Sequence, residues 1–273
     1  MSAAEKLNGE ILSSLLVLVK KHTGITMEAR KRELLFSRIN RRIRALGLNT
    51  PEQYIAYLQD HEDEVQMFVN AVTTNETLFF RTPVIWDYFT KEFLPAWHRK
   101  HLEEPLRVWS AASSSGEEAY SIAMVCAEFK EKNPAFKFQI SGSDISTDVL
   151  NKARSGVFKE KTTLELKAKS PDLYYKYFLR LPNGEHKFKD HLTGSPEFFV
   201  HNLHTLGSKI QHFDIVFLRN VLIYFNDKDQ ELVLNNIHRA TKPGGMLILG
   251  ESESLARLKT SFVFHKPLIY SKG

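Results

Sequence analysis

Residues 106–129 read LRVWSAASSSGEEAYSIAMVCAEF. This pattern predicts a short buried strand, a loop of small residues that ends in Gly-Glu-Glu, and an amphipathic helix. Small side chains let the chain turn sharply after the strand, and the free N–H groups at the start of the helix attract polar ligand atoms. The unit is therefore typical of a nucleotide-type site, although an ordinary strand-turn-helix corner gives the same pattern.

The loop lacks the glycines that dinucleotide binding requires. Gly116 is its only glycine, so the fingerprint G-x-G-x-x-G is absent. Two acids, Glu117 and Glu118, occupy the position at which a phosphate would lie. Carboxylates there favour a cationic nucleoside without phosphate, and S-adenosylmethionine, with its sulfonium and α-ammonium groups, has that chemistry. We expect Glu117 to face the cationic end of this cofactor.

Length and composition limit the classes of protein that this chain can be. At 273 residues it is long enough for one large and one small domain. Cys126 is the only cysteine, which excludes intrachain disulfides and thiolate metal clusters and favours a packed core thiol. No apolar run approaches the roughly 18 residues that span a bilayer, and the first ten residues lack the layout of a signal peptide. A cytoplasmic protein without membrane insertion is predicted, and the net charge of +5 favours an acidic partner.

The amino-terminal part of the chain predicts a small helical domain over residues 1–72, because its apolar residues recur every three or four positions. Thr50 and Pro51 predict the start of one of its helices. Residues 73–90 begin with TTNETLFFR and predict a linker that contributes polar groups to the cofactor site, with Phe79 and Phe80 anchored in a core. The helix VIWDYFTKEFLPAWHRK follows Pro83 without a predicted break.

Strands and helices alternate over residues 91–273, which predicts a parallel sheet with helices on both faces. The tail SFVFHKPLIYSK predicts an antiparallel hairpin that closes one edge. The alternation is interrupted at about residues 158–197, where Pro182-Asn183-Gly184 predicts an inserted β-hairpin subdomain. The predicted fold is therefore α/β, a Rossmann-like sheet with a small all-α domain before it and a β-subdomain inserted into it.

The second predicted helix is strongly basic. Two interpretations remain open, a solvated helix face and a docking surface for an acidic helix or a polyanion. The basic residues are Arg30, Lys31, Arg32, Arg38, Arg41, Arg42 and Arg44.

Polar side chains follow several strands of the predicted sheet. Asp144 ends the second strand, where its carboxylate is suited to accept hydrogen bonds from both ribose hydroxyls. Asn202 and Leu203 follow the third strand and suit an adenine edge and face, while Asn220 follows the fourth. Because the carboxyl ends of parallel strands meet at one edge of a sheet, these residues predict a single site there.

Other chemistries lack their usual residues. The histidine pairs His98/His101 and His201/His204 have a spacing that suits metal ligands on a helix, but neither pair has a third ligand beside it in the sequence, so we expect no metal site. The sequence also has no G-x-S-x-G elbow and no P-loop, which argues against acyl and phosphoryl transfer.

Six segments carry a resemblance to a known family: TTNETLFFR, WSAASSSGEEAYSIAM, SGSDIST, HNL, LRNVLIYF and KPGGMLILGESES. They resemble, in order, the motifs of the chemotaxis receptor methyltransferases (CheR), and the resemblance covers nearly the whole chain. It implies S-adenosylmethionine-dependent methylation of glutamate side chains on the cytoplasmic helical domains of chemoreceptors, a step in signal transduction during chemotaxis adaptation. Possible further partners are other chemotaxis signalling proteins, and no nucleic acid is expected.

The resemblance also implies which residues form the site. Arg81 and Tyr224 would flank the transferred methyl group and are the predicted catalytic residues. The predicted cofactor residues are Asn75, Thr77, Arg81, Glu117, Asp144, Asn202, Leu203, Arg219 and Asn220.

The sequence departs from the family pattern at three single residues and in one segment. Glu251 replaces the usual histidine, and Ala112 and Ala119 replace a common glycine and proline, which leaves all the named contact residues in place. The segment LRLPNGEHKFKD differs from the glycine-flanked loop through which some members hold a receptor's C-terminal pentapeptide, so the resemblance does not extend to such tethering. Two alternatives stay open from sequence: a non-catalytic module that binds cofactor or receptor, and a methyltransferase acting on nucleic acid or a small molecule.

Overall fold

The fold was derived from a computed structural model, which describes residues 3–28, 31–189, 196–207, 210 and 212–273. In these ranges the buried apolar side chains form three clusters, one between four amino-terminal helices and one on each face of a seven-stranded sheet. No helix within the described ranges combines the length and the apolarity that a membrane crossing requires.

The amino-terminal helices are α1 (Ala3–Thr23), α2 (Arg32–Ala45), α3 (Pro51–Asp60) and α4 (Glu62–Val72). Their apolar residues recur at helical spacing, so each helix buries one face, and Leu35 and Phe68 are fully buried between them. Thr50 caps α3, since its side chain accepts a hydrogen bond from the Gln53 N–H at 3.3 Å, and Pro51 lies in the first turn. The predicted start of this helix is confirmed.

Part of the segment predicted as a linker is helical. The chain forms α5 (Pro83–Tyr88), a π-helical turn (Phe89–Phe93) and α6 (Leu94–Lys100), so the helix predicted after Pro83 is present and contains a π turn. Pro95 has no N–H to donate to the carbonyl four residues before it, and the wider π turn lies directly ahead of it. Trp86 and Phe89 are buried against Phe217 of the sheet, so this helix belongs to the core of the larger domain.

Ten strands are present in the described ranges: β1 (Leu106–Ala111), β2 (Phe138–Asp144), β3 (Val157–Phe158), β4 (Phe178–Arg180), β5 (His186–Phe188), β6 (Glu197–Val200), β7 (Phe213–Leu218), β8 (Thr241–Leu249), β9 (Phe262–Lys266) and β10 (Ile269–Lys272). The main sheet has the order β6-β2-β1-β7-β8-β10-β9. Its first five strands are parallel, and β10 pairs antiparallel with both β8 and β9. The predicted parallel sheet and the predicted closing hairpin are both confirmed.

Helices on the two faces complete the larger domain and its insertion. They are α7 (Glu117–Lys132), α8 (Thr147–Ser155), α9 (Glu160–Lys169), α10 (Pro171–Tyr177) and α11 (Asp227–Ala240). The insertion contributes α9, α10 and a second sheet of order β3-β5-β4. The hairpin predicted there is confirmed, since β4 and β5 are antiparallel and Gly184 turns between them with a φ of 83°. Residues 190–195 of the predicted insertion lie outside the described residues.

Candidate active site

A cavity of about 300 Å³ opens at the carboxyl ends of β1, β2, β6 and β7. This is the edge of a parallel sheet at which ligands usually bind, because the strand order reverses there. The structure brings nine of the ten predicted site residues to its wall: Asn75, Thr77, Arg81, Asp144, Asn202, Leu203, Arg219, Asn220 and Tyr224. Glu117 is the predicted residue that does not line it.

The loop after β1 wraps closely around one side of the cavity. Ala112 and Ser114 have positive φ values of 60° and 51°, a left-handed conformation that is costly for residues other than glycine. The Ser113 N–H donates to the carbonyl of Ser143 at 2.7 Å, which ties the loop to the end of β2. The Ser114 hydroxyl donates to the carbonyl of Asn75 at 2.9 Å, which brings the 73–82 segment to the same wall. Contacts to two neighbouring segments therefore hold the strained loop.

Asp144 is fixed by backbone groups on both sides. Its Oδ2 accepts the Ser114 N–H at 2.9 Å, and its Oδ1 accepts the Ser146 N–H at 3.0 Å. Burial raises the pKa of Asp144, and these backbone hydrogen bonds act in the opposite direction. Each carboxylate oxygen keeps a further lone pair, so the side chain is able to accept two hydroxyl groups from a ligand in the cavity.

Glu118, not Glu117, is the acid of the Gly-Glu-Glu motif that lines the cavity. Its Oε1 accepts the Ser110 hydroxyl at 2.8 Å, and its Oε2 accepts Nη1 of Arg219 at 2.8 Å. Nη2 of Arg219 donates to the Arg81 carbonyl at 2.8 Å. The Arg219 guanidinium thus joins the Glu118 carboxylate to the backbone of Arg81. The negative charge of Glu118 balances the positive charge of Arg219 within the cavity wall.

Glu117 points away from the cavity and is buried elsewhere. Its Oε2 accepts the Ser115 hydroxyl at 2.7 Å, and burial raises the pKa of its carboxyl. Consecutive helix residues are separated by about 100° around the axis, so only one of two adjacent acids at this helix start faces the ligand. The expectation that Glu117 faces the cofactor therefore has no support in this geometry, which favours Glu118.

We expect Glu118→Gln to lower affinity for S-adenosylmethionine by about tenfold or more, because it removes the carboxylate that faces a cationic group and weakens the ion pair with the buried Arg219. Glu117→Gln should leave the affinity unchanged. A carboxyl whose pKa is raised in the folded state stabilises the fold most at low pH and loses that contribution as pH rises through the raised value. Glu117→Gln should therefore raise the melting temperature at pH 7 and flatten its decline as the pH rises above the ordinary pKa of a glutamate. Calorimetric titration and melting curves at several pH values measure both effects, and weaker cofactor binding by Glu117→Gln would contradict the assignment.

Arg81 lies in a strained turn at the mouth of the cavity. Its neighbours Phe80 and Thr82 have φ values of 51° and 64°, and its carbonyl accepts Nε1–H of Trp86 at 2.9 Å besides the bond from Arg219. These contacts fix the backbone of Arg81. Its side chain is exposed, so the guanidinium is open to an incoming group. Such strain at a site edge is typical of a functional turn.

Tyr224 also lines the cavity, from a short 3-10 helix (Leu222–Tyr224) after β7. Burial raises the pKa of Tyr224, and the charge of Glu76 raises it further. The positive charges of Arg81 and Arg38 act in the opposite direction and lower it. The phenol therefore stays protonated at neutral pH and is able to donate a hydrogen bond.

The amino-terminal domain also forms part of the cavity wall, which the sequence did not predict. Thr23 and Ile25 line the cavity, and the Thr26 N–H donates to the Tyr224 carbonyl at 2.8 Å. Gly24 has a φ of 74°, and a Cβ atom there would lie 2.0 Å from the His204 ring. Gly24, directly after α1, is the sequence feature that could have indicated this contact between the two domains. Only glycine allows the backbone to approach the His204 ring so closely.

The predicted histidine pairs serve packing in this structure. His201 lines the cavity and is buried, which lowers its pKa to about 4, and His204 packs on Phe225. His98 lies edge-on to Phe129 and Phe136. Within the described ranges, no group of three or more His, Cys, Asp or Glu side chains is arranged to hold a metal ion.

The basic helix α2 divides into paired and exposed cations. Arg42 forms two hydrogen bonds with the buried Glu64 carboxylate, at 2.9 and 2.7 Å, and Arg38 donates to the Val72 carbonyl at 2.7 Å. Arg41 and Arg44 are exposed. Arg42 therefore fits neither earlier interpretation, because its side chain stabilises the domain. For the exposed Arg41 and Arg44, a solvated face and a docking surface both stay open. Arg30 lies outside the described residues.

Family models match almost the entire chain. The model described as "CheR methyltransferase, SAM binding domain" matches residues 75–268, and "CheR methyltransferase, all-alpha domain" matches residues 10–73. The chain belongs to the CheR methyltransferase family. It therefore binds S-adenosylmethionine and transfers its methyl group in chemotaxis, as its resemblance to CheR implied.

Curated relatives agree with this assignment. The chemotaxis protein methyltransferase of Salmonella typhimurium is 36% identical over 265 residues, which cover 93% of this chain and 87% of the relative. That of Borreliella burgdorferi is 32% identical over 271 residues, covering 96% and 94%. Among solved structures, the magnesium protoporphyrin IX methyltransferase ChlM of Synechocystis PCC 6803 with bound SAM has a TM-score of 0.37 at 15% identity, covering 73% of this chain and 100% of that one.

The CheR cavity of this chain carries polar groups that suit S-adenosylmethionine. Asp144 offers acceptors for ribose hydroxyls, and Glu118 offers a carboxylate for a cationic group. The Ser113 hydroxyl lines the cavity, is buried, and has no hydrogen-bond partner among the described residues. A buried hydroxyl of this kind usually binds a ligand or water, so the wall suits a polar ligand without phosphate.

Proposed function

We propose that this CheR family member methylates glutamate side chains on the helical cytoplasmic domain of chemoreceptors and so forms glutamyl methyl esters. The observation that carries the proposal is that Arg81 and Tyr224 both line the mouth of the cofactor cavity. An exposed guanidinium beside a phenol that donates a hydrogen bond suits an incoming carboxylate. The proposed location is the cytoplasm, where such receptor domains lie.

Each proposed catalytic residue has a positioning role. A glutamate carboxylate is ionised at pH 7 and needs no general base. S-adenosylmethionine, when bound, supplies an electrophilic methyl group. The Arg81 guanidinium holds the carboxylate at the mouth, and the Tyr224 hydroxyl orients it toward the cavity. Arg81 must bind loosely enough to leave the oxygen nucleophilic, so we assign it to placement.

The side chains around these two residues favour an amphipathic helix as substrate. Leu78 and Ile223 line the cavity mouth and are 45% and 49% exposed. Arg38 contacts the Thr74 hydroxyl at 3.5 Å, which places α2 beside the same mouth, with Arg41 exposed on it. Apolar side chains beside exposed cations match a receptor helix that carries both apolar and acidic residues. Receptor domains are thus the proposed partner.

We expect Arg41→Ala combined with Arg44→Ala to raise the KM for receptor fragments about three- to tenfold and to leave kcat unchanged, because exposed charges mainly steer association. The effect should shrink in high salt, where such charges are screened. The control pair is Arg99→Ala with Lys100→Ala, exposed cations that end α6 ahead of the amino end of β1 and so lie at the opposite edge of the sheet. Initial rates at low and high ionic strength measure the difference, and equal KM values for the two pairs would contradict receptor docking by α2.

The proposed reaction is tested by incubating the protein with methyl-labelled S-adenosylmethionine and receptor cytoplasmic fragments. Label that mild alkali releases as methanol identifies methyl esters, which is the expected result. Alkali-stable label on RNA or on a small molecule would overturn the proposal in favour of another substrate class. Calorimetric binding of cofactor and receptor without transfer of label would overturn it as well.

A further inference from the structure

Glu253, in the loop after β8, has an unusual set of partners. It is only 7% exposed, yet its carboxylate accepts four backbone N–H groups. Oε2 accepts from Asn220 at 2.9 Å and from Gly250 at 2.7 Å, while Oε1 accepts from Val221 and Leu222, both at 2.8 Å. Three of the four donors belong to the turn after β7. A side chain from the loop after β8 therefore holds the backbone of the turn after the neighbouring strand β7.

The geometry of that turn depends on such a contact. Asn220 adopts a left-handed φ of 57°, which is costly without local support. Gly250 packs directly on it, since a Cβ atom at Gly250 would lie 2.7 Å from Nδ2 of Asn220 and 2.9 Å from its backbone nitrogen. A carboxylate that accepts several backbone N–H groups fixes their directions, because each bond is charge-assisted and weakens when misaligned.

The same turn carries Tyr224. Leu222 and Tyr224 bound the short 3-10 helix that follows it, so the directions of the Val221 and Leu222 N–H groups set the axis of that helix. We propose that Glu253 is a positioning residue, which acts through the 220–224 turn to hold Tyr224 in place for methyl transfer. This inference rests on the proposed role of Tyr224.

Other contacts keep the turn folded when Glu253 is altered. Nε2 of Gln230 donates to the carbonyls of Leu222 and Phe225 at 3.0 and 2.9 Å. The Thr26 N–H binds the carbonyl of Tyr224 from the side of the amino-terminal domain. A conservative change at Glu253 should therefore shift the turn slightly and leave the protein folded, which makes the inference testable in solution.

The test compares Glu253→Gln and Glu253→Asp with the control Glu251→Gln, an exposed acid two residues earlier. A glutamine has one acceptor oxygen, and its NH₂ group faces N–H donors, so two of the four contacts are lost. We expect kcat, expressed per S-adenosylhomocysteine-binding site, to fall about tenfold or more, with partial recovery in Glu253→Asp and no change in the control. A fall only in the number of binding sites, with kcat per site unchanged, would show a merely structural role and overturn the inference.

A double-mutant cycle with Tyr224→Phe tests the route of the effect. If Glu253 acts through Tyr224, the double variant should be about as slow as the slower single variant. Effects that multiply would show that Glu253 acts elsewhere and would overturn the inference. Failure of the proposed function itself would appear in the wild-type protein, as the absence of alkali-released methanol, whereas failure of this inference leaves wild-type activity intact.

Discussion

Asp144→Ala is expected to abolish S-adenosylmethionine binding at micromolar concentrations. The carboxylate is held by the N–H groups of Ser114 and Ser146, which leaves its remaining lone pairs for two ribose hydroxyls. Hydrogen bonds to a charged group contribute about 1.5–3 kcal/mol each. Losing two of them lowers the affinity by about two to four orders of magnitude. Calorimetric titration with S-adenosylmethionine measures the loss directly.

The control for this variant is Asp148→Ala, an exposed acid in the first turn of α8. It removes the same charge at a short distance along the chain and should bind the cofactor as the wild type does. Asp144→Asn keeps one acceptor and the side-chain volume, so we expect an intermediate affinity. A folded Asp144→Ala protein that still bound the cofactor with wild-type affinity would show that the nucleoside is held by other groups.

Arg81→Ala is expected to lower kcat for receptor methylation by about 100-fold at saturating cofactor, because a misplaced acceptor loses the advantage of alignment. The backbone role of Arg81 survives the change, since its carbonyl still accepts the bonds from Arg219 and Trp86. The variant should therefore fold and bind cofactor, and the loss isolates the guanidinium. Rates of alkali-released methanol measure it.

Two further variants serve as comparisons for Arg81→Ala. Arg81→Lys keeps the charge but not the planar fork, so we expect a partial loss of turnover. Lys91→Ala removes an exposed cation in the π-helical turn and should have no effect. Wild-type turnover in Arg81→Ala would exclude the guanidinium from acceptor placement.

Much of the fold follows from local sequence signals. The sheet was predictable because apolar strands alternate with helices, and both hairpins because Lys266-Pro267 and Asn183-Gly184 interrupt short strands. Asp144, Asn202 and Asn220 meet in one cavity for a simple reason, since parallel strands present their carboxyl ends at the same edge. The helix predicted over residues 84–100 is present, but its π turn ahead of Pro95 was not predicted.

Contacts between distant segments account for what the sequence did not predict. Glu117 and Glu118 are separated by only about 100° of rotation around the helix axis, and only the packed structure shows which one lines the cavity. Arg42 looked like one more cation of a basic face, but its carboxylate partner lies on another helix. Glu253 binds backbone groups, which no residue pattern reveals, so its role was absent from the sequence-based site.

The turn that joins Thr23 to Thr26 has a consequence for how such enzymes can be recombined. The helical domain and the sheet domain match separate family models, which invites chimeras made by exchanging them at the boundary near residue 74. Yet Ile25 forms part of the cofactor wall, and Gly24 fits against a histidine of the other domain. A helical domain taken from another protein would thus place different side chains in the cofactor pocket. A functional chimera should therefore keep residues 23–26 from the same protein as the sheet domain that they contact.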